Sequence, residues 1–208
     1  DYVNGGYAEW DGTLPDYGKH PAVVGFIAYD EPINVGSNGT ENIFNILDAA
    51  QAKFNEERIR LNREDLIFFV NILGASGIAG NAGNNTFNYE TQYVDPYLNA
   101  VDGEVISMDS YSLLKNGSTA NIRKSYYYTF DVLSKKASET GTDLWYTLLS
   151  AGHTAGDGGS YKYSEPTEEE LRWQMAVGMV FGAKNLTHYI YTSGAEDYST
   201  MVEYETWN

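Results

Sequence analysis

Five runs of apolar, β-favouring residues recur along the chain, at 23–29, 66–73, 104–108, 143–149 and 186–191. Their starts lie roughly 40 residues apart, a spacing that propeller blades share. The intervening segments argue against blades, because their apolar residues return at helical intervals. Ile43, Leu47, Ala50 and Phe54 do so after a Thr40-Glu41 start, and Tyr126, Phe130, Leu133 and Ala137 do so before Gly141. Tyr93, Tyr97 and Ala100 predict a shorter helix between these two. The clearest helix is predicted at 167–181, where Thr167 and Glu170 form a capping box, Leu171, Met175, Gly178 and Met179 make one face, and Gly182 closes the turn. Strand and helix therefore alternate and end on a strand, which implies a parallel sheet: an open doubly wound one, or part of a (β/α)8 barrel.

The strand ends separate these two architectures. In the first, Val23-Val24-Gly25-Phe26-Ile27-Ala28-Tyr29 runs straight into Asp30-Glu31-Pro32, so a buried strand delivers two carboxylates to an edge where Pro32 stops the ladder. A charged strand terminus facing water fits these residues equally well. The later strands end near Asn71, Asp109-Ser110-Tyr111, Ser150-Ala151-Gly152-His153 and Thr192-Ser193. Polar groups at several C-terminal strand ends are the pattern of a barrel active site. A nucleotide-binding open sheet instead carries a glycine-rich phosphate loop, and neither GxGxxG nor GxxxxGK[ST] occurs.

Composition narrows the chemistry. The 208 residues suffice for one domain with a proper core, and no linker divides them. A net charge of −16, with no basic cluster, disfavours nucleic acid as a partner. Cysteine is absent, which removes disulfides, thiolate metal sites and a cysteine nucleophile. No run reaches the roughly 18 apolar residues of a membrane helix, so membrane insertion is not expected. The opening Asp-Tyr-Val-Asn-Gly-Gly lacks the basic and apolar regions of a secretion signal, which is expected to have been removed or never present. The 18 Tyr and 4 Trp, many in Gly/Asn/Ser/Thr-rich segments, supply flat faces with hydrogen-bonding edges suited to ring-shaped polar ligands. Packing of the core and its rim accounts for many of them just as well.

Glycoside hydrolysis needs two carboxyl groups at the scissile bond, one of them protonated. Glu31 and Asp109 are the best-placed pair, since both follow apolar strands where burial would raise the pKa of one. Asp109 can also be read as a strand-end Asp turn. His20, His153 and His188 share no metal-ligand spacing, so neither a metal nor any other cofactor is expected. His153, in a glycine-rich loop after a strand, reads as a substrate contact; His20 and His188 read as structural. No GxSxG elbow supports serine-hydrolase chemistry.

The block His20-Pro21-Ala22-Val23-Val24-Gly25-Phe26 leading to Asp30-Glu31-Pro32 resembles bacterial glycoside hydrolases with a TIM barrel, related to the clan of β-galactosidases and cellulases. Val70-Asn71-Ile72-Leu73, Ser107-Met108-Asp109-Ser110-Tyr111, and Leu171-Arg172-Trp173-Gln174 through Phe181-Gly182-Ala183-Lys184 extend the resemblance across nearly the whole chain in short blocks. In that clan the acid/base glutamate ends the fourth strand in an Asn-Glu-Pro-like motif, so the resemblance gives Glu31 that role. Asp30 stands where asparagine is usual, and an ionised aspartate accepts but cannot donate. The clan's seventh-strand nucleophile has no counterpart in Trp145-Tyr146-Thr147-Leu148-Leu149-Ser150. Asp109, on the expected sixth strand, is then the second carboxylate, with Asp157, Glu165 and Glu196 as loop alternatives.

The expected fold is α/β, a partial (β/α)8 barrel of about five βα units, strands four to eight. A whole barrel has about 250 residues, so residues 1–208 form a single-domain fragment with three units missing before it. The expected function is hydrolysis of an oligo- or polysaccharide in an extracellular or cell-surface setting. Glu31 and Asp109 are catalytic, and Asp30, Asn71, Tyr111, Trp145, His153 and Tyr191 line the sugar site. A carbohydrate-binding protein that keeps the barrel without catalysis is the alternative, motivated by the strand that lacks a carboxylate. A five-stranded doubly wound domain for another small molecule is a third.

Overall fold

The computed structural model describes residues 12–33, 43–82, 87–116, 119–155 and 161–189. Along the chain run β1 (Gly25–Asp30), α1 (Ile43–Arg60), β2 (Ile67–Leu73), α2 (Ala75–Ala82), α3 (Asp95–Ala100), β3 (Val105–Asp109), β4 (Leu113–Asn116), β5 (Thr119–Ile122), α4 (Tyr126–Thr140), β6 (Asp143–Leu149), β7 (Thr154–Ala155), β8 (Tyr161–Lys162), α5 (Glu168–Val180) and β9 (Ala183–Tyr189). The five predicted strands form one parallel sheet in the order β1-β2-β3-β6-β9, with no switch point. The described helices pack on one face of it. In β2, Phe68, Val70 and Ile72 join a single core with Phe44 and Phe54 of α1, Phe130 of α4 and Val177 of α5. The alternate residues Phe69 and Asn71 face the other way and are only half-buried. Sequential order with helices on one side is a run of consecutive βα units of a barrel wall, whereas a doubly wound sheet has helices on both faces and a reversal in strand order.

Local chemistry accounts for most of these elements. Phe44, Leu47, Ala50 and Phe54 bury one stripe of α1. Gly141 takes φ 73° and ends α4 in the left-handed conformation that suits glycine. Gly25 lets β1 approach β2, since a Cβ there would stand 2.3 Å from the Ile67 carbonyl oxygen. Both halves of the Thr167/Glu170 capping box are present at the start of α5. The buried face of α5 differs from expectation: Gln174, Val177 and Gly178 point inward, Leu171 and Met175 are partly buried, and Met179 is exposed. Gln174 is drawn in because its amide pairs with both backbone groups of Leu149, accepting from the N–H and donating to the carbonyl, each at 3.0 Å.

Two hairpins and α2 were not expected from the pattern. The β4/β5 hairpin follows the end of β3, and the short β7/β8 pair follows the end of β6. Both therefore sit at the C-terminal rim, where a bridge between Leu114 and Tyr163 joins them. A π-helical turn over Glu90–Val94 runs directly into α3, and Lys136 of α4 braces it by pairing with Glu90 at 3.0 Å and Asp95 at 2.7 Å. Among the described residues no helix is long and apolar enough to cross a membrane.

Candidate active site

Strand register sets which side chains meet at the rim. Asp30 lies opposite Asn71, and Asn71 opposite Ser107; one row higher, Leu73 pairs with Asp109, Asp109 with Thr147 and Thr147 with Thr187. The Asn71 amide binds three side chains. Its Nδ2 donates to Asp30 Oδ1 at 3.0 Å and to Asp109 Oδ1 at 3.1 Å, while its Oδ1 accepts from Ser107 Oγ at 3.1 Å. The Asn71 carbonyl also accepts from the Glu31 N–H at 2.7 Å.

Glu31 occupies the left-handed region at φ 50°, unusual for a residue with a Cβ and a form of strain that clusters at functional sites. The turn after it is tied down by Tyr93, whose hydroxyl donates to the Pro32 carbonyl at 2.8 Å and accepts from the Leu73 N–H at 3.4 Å. Tyr89, stacked on Tyr93, donates to the Leu73 carbonyl at 2.7 Å. The π-helical turn thus presents a tyrosine that holds the ends of β1 and β2 together.

The Glu31 and Asp109 carboxyls are hydrogen-bonded to each other. Asp109 is only 5% exposed. Burial pushes its carboxyl well above the usual range, the charges of Glu31 and Asp30 and the bond to Glu31 push it further, and the Asn71 amide opposes them. Burial also raises Glu31, with the bond to Asp109 pulling back. Together the two retain one proton where ordinary carboxyls have lost it.

An aromatic group stands beside the pair. Tyr111 packs edge-on to His153 and Tyr163, each at 5.5 Å, and against Tyr189 at 5.4 Å. Burial and the negative charge of Asp109 and Glu31 keep the Tyr111 hydroxyl protonated. His153 donates from Nδ1 to the Ala151 carbonyl at 3.0 Å, and burial lowers its pKa, so the ring is neutral with Nε2 as the acceptor nitrogen.

Of the predicted site residues, the structure brings together Asp30, Glu31, Asn71 and Asp109, with Tyr111 adjoining them and His153 behind Tyr111. Trp145 lies one row below the carboxyl pair, opposite Ser107 and Asn185, with its ring 5.3 Å from Phe69. Tyr191, and the loop acids Asp157 and Glu196, fall outside the described residues. Glu165 accepts from the Gly152 N–H at 2.8 Å and shapes the loop that carries His153. The other two histidines also have partners: His20 Nδ1 accepts from the Ala22 N–H, and His188 Nδ1 pairs with Ser150 Oγ at 2.8 Å. No group of three or more His, Asp or Glu among the described residues is arranged to hold a metal.

No protein-family model matches the chain, and no curated protein matches its sequence. Among solved structures, the catalytic domain of a beta-amylase from Paenibacillus polymyxa aligns with a TM-score of 0.40 and 11% identity, covering 70% of this chain and 32% of that one. This chain therefore spans about a third of that domain.

The sequence reading missed Ser107, Tyr89, Tyr93 and the Thr147–Thr187 hydroxyl pair, which is 2.6 Å apart in the row of Asp109. Each threonine falls at the polar position of an alternating strand, a signal present in the sequence. The tyrosines gave no such signal: Tyr93 read only as part of a short helix, and no pattern marked Tyr89.

Proposed function

We propose that this chain carries the catalytic rim of a glycoside hydrolase acting on an oligo- or polysaccharide, as the later part of a (β/α)8 barrel. One observation carries the reading: Glu31 and Asp109 come together at the C-terminal rim of a parallel sheet, where burial raises both carboxyls. Glu31 is the general acid/base and the less buried of the pair; Asp109 is the second carboxylate. The glycosidic C–O bond breaks with its electron pair on the leaving oxygen, which takes the proton from Glu31. Water supplies the new bond to the sugar carbon, and its proton returns to the pair. Tyr111 offers a protonated hydroxyl and a ring face beside the reacting bond, and Asp30 accepts from sugar hydroxyls.

The test is Glu31→Gln in the full-length protein, assayed on an oligosaccharide panel and on 4-nitrophenyl glycosides. Turnover of the oligosaccharides is expected to vanish with binding retained, while the activated nitrophenyl substrates lose less rate in the bond-breaking step because they barely need protonation. Full activity of the variant on unactivated substrates would remove Glu31 from the acid role. A second reading, a carbohydrate-binding barrel without catalysis, draws on the rim of β6, where Thr147, Leu149 and Ser150 supply no carboxylate. A wild-type protein that binds oligosaccharides and hydrolyses none of the panel would establish it.

A further inference from the structure

Ser107 is a hydroxyl in the middle of the fully buried strand β3, between Ile106 and Met108, and is 4% exposed. A polar group at such a position is destabilising unless it is hydrogen-bonded. Its partner is Asn71 Oδ1, and Asn71 in turn holds both Asp30 and Asp109. Ser107 is too deep and too fully enclosed to touch a substrate.

We infer that Ser107 is a positioning residue for the carboxyl pair: its hydroxyl fixes the Asn71 amide so that Nδ2, and not Oδ1, faces Asp30 and Asp109. The consequence for proton transfer rests on the hydrolase reading; the geometry does not. With Nδ2 donating to Asp109 Oδ1, the amide offers the pair no acceptor, and the proton held there stays between the two carboxyls. An amide turned the other way would aim Oδ1 at Asp109 and accept that proton, taking it from Glu31 and stranding it in the sheet. It would also set its oxygen against the carboxylate of Asp30, with no donor in return. Register makes the arrangement specific, because Ser107 is directly opposite Asn71 while Asp109 is one row higher. The other titratable groups bearing on the pair are Asp30, Tyr111, Tyr89, Tyr93 and Tyr146. All four tyrosines are held neutral by burial.

The experiment compares wild type, Ser107→Ala and Ser107→Thr by two readouts. One is a carbon-13 NMR titration of the Glu31 and Asp109 carboxyls in the full-length protein, which needs no substrate. The other is kcat and KM on a 4-nitrophenyl glycoside. In Ser107→Ala the amide loses its anchor, Asp109 loses a donor to its ionised form, and a turned amide favours its neutral form; both effects displace the titration to higher pH. The kcat is expected to fall about tenfold, the worth of one hydrogen bond to a charged group, with KM changed less than about twofold. Ser107→Thr keeps the hydroxyl and restores both. A Ser107→Ala titration that superimposes on wild type, or a displacement that threonine fails to reverse, would overturn the inference. If wild type hydrolyses no glycoside, the titration alone decides: a displacement reversed by threonine upholds the positioning role while the hydrolase reading falls. If Ser107→Ala does not fold, Ser107→Cys, with similar size and a much weaker donor, is read by the same outcomes.

Discussion

Replacing Asp109 by asparagine should stabilise the protein increasingly as pH rises. The folded state holds this carboxyl well above the ordinary 3.8, so from about pH 4 upward the native chain binds a proton that the unfolded chain has released. Stability from this group is complete below the unfolded value and is lost as pH rises through the folded one. The limiting slope for one proton is about 1.4 kcal/mol per pH unit, so wild type loses at most about 2.7 kcal/mol relative to the variant between pH 5 and 7. Asparagine cannot ionise, its oxygen still accepts from Asn71 Nδ2, and its own amide donates to Glu31 in place of the shared proton. The assay is urea unfolding of both proteins at several pH values from 5 to 8, read as the difference in unfolding free energy. Using the difference matters, because self-repulsion at a net charge of −16 adds a pH dependence common to both chains. A difference that stays constant across this range would refute the buried, proton-retaining pair.

Two further substitutions probe the support of the site. Tyr93→Phe removes the hydroxyl that bridges the Pro32 carbonyl and the Leu73 N–H, and should cost about 1–3 kcal/mol in urea unfolding for the buried groups left unpaired; an unchanged midpoint would show that the π-helical turn does not secure the end of β1. Gly25→Ala drives a Cβ to 2.3 Å from the Ile67 carbonyl oxygen, which only separation of β1 from β2 can relieve, so a loss of about 1–3 kcal/mol or more is expected, checked by thermal unfolding; a wild-type melting temperature would refute the close approach.

The fold was legible wherever burial alone decided an element. The apolar run at 66–73 gave β2, the Ile43 to Phe54 spacing gave α1, and the capping box gave the start of α5. Legibility failed where a specific partner overrode the general preference. Gln174 reads as a solvent residue and is fully buried because the end of β6 offers it two backbone groups. The run Gly74-Ala75-Ser76-Gly77 carries no helical apolar spacing, yet α2 begins there, with the Ala75 N–H bonded to Thr129 Oγ1 at 3.0 Å. At the site, Asp30, Glu31 and Asp109 could be picked out because each ends an apolar run. The Asn71–Ser107 contact could not, because it depends on cross-strand register, which no local pattern encodes.

The bridge between Leu114 and Tyr163 has a consequence for how this rim could change over evolution or in the laboratory. The β4/β5 hairpin and the β7/β8 pair enter from different strands, but Leu113, Leu149 and Tyr163 make a small apolar cluster of their own, separate from the main core. The Ser164 N–H also donates to the Leu113 carbonyl at 3.0 Å. The two excursions therefore form one joined cap seated on the rim of the sheet. Replacing one alone would leave an unmatched seam, whereas replacing both together would keep the joint intact and leave the carboxyls in the sheet beneath untouched.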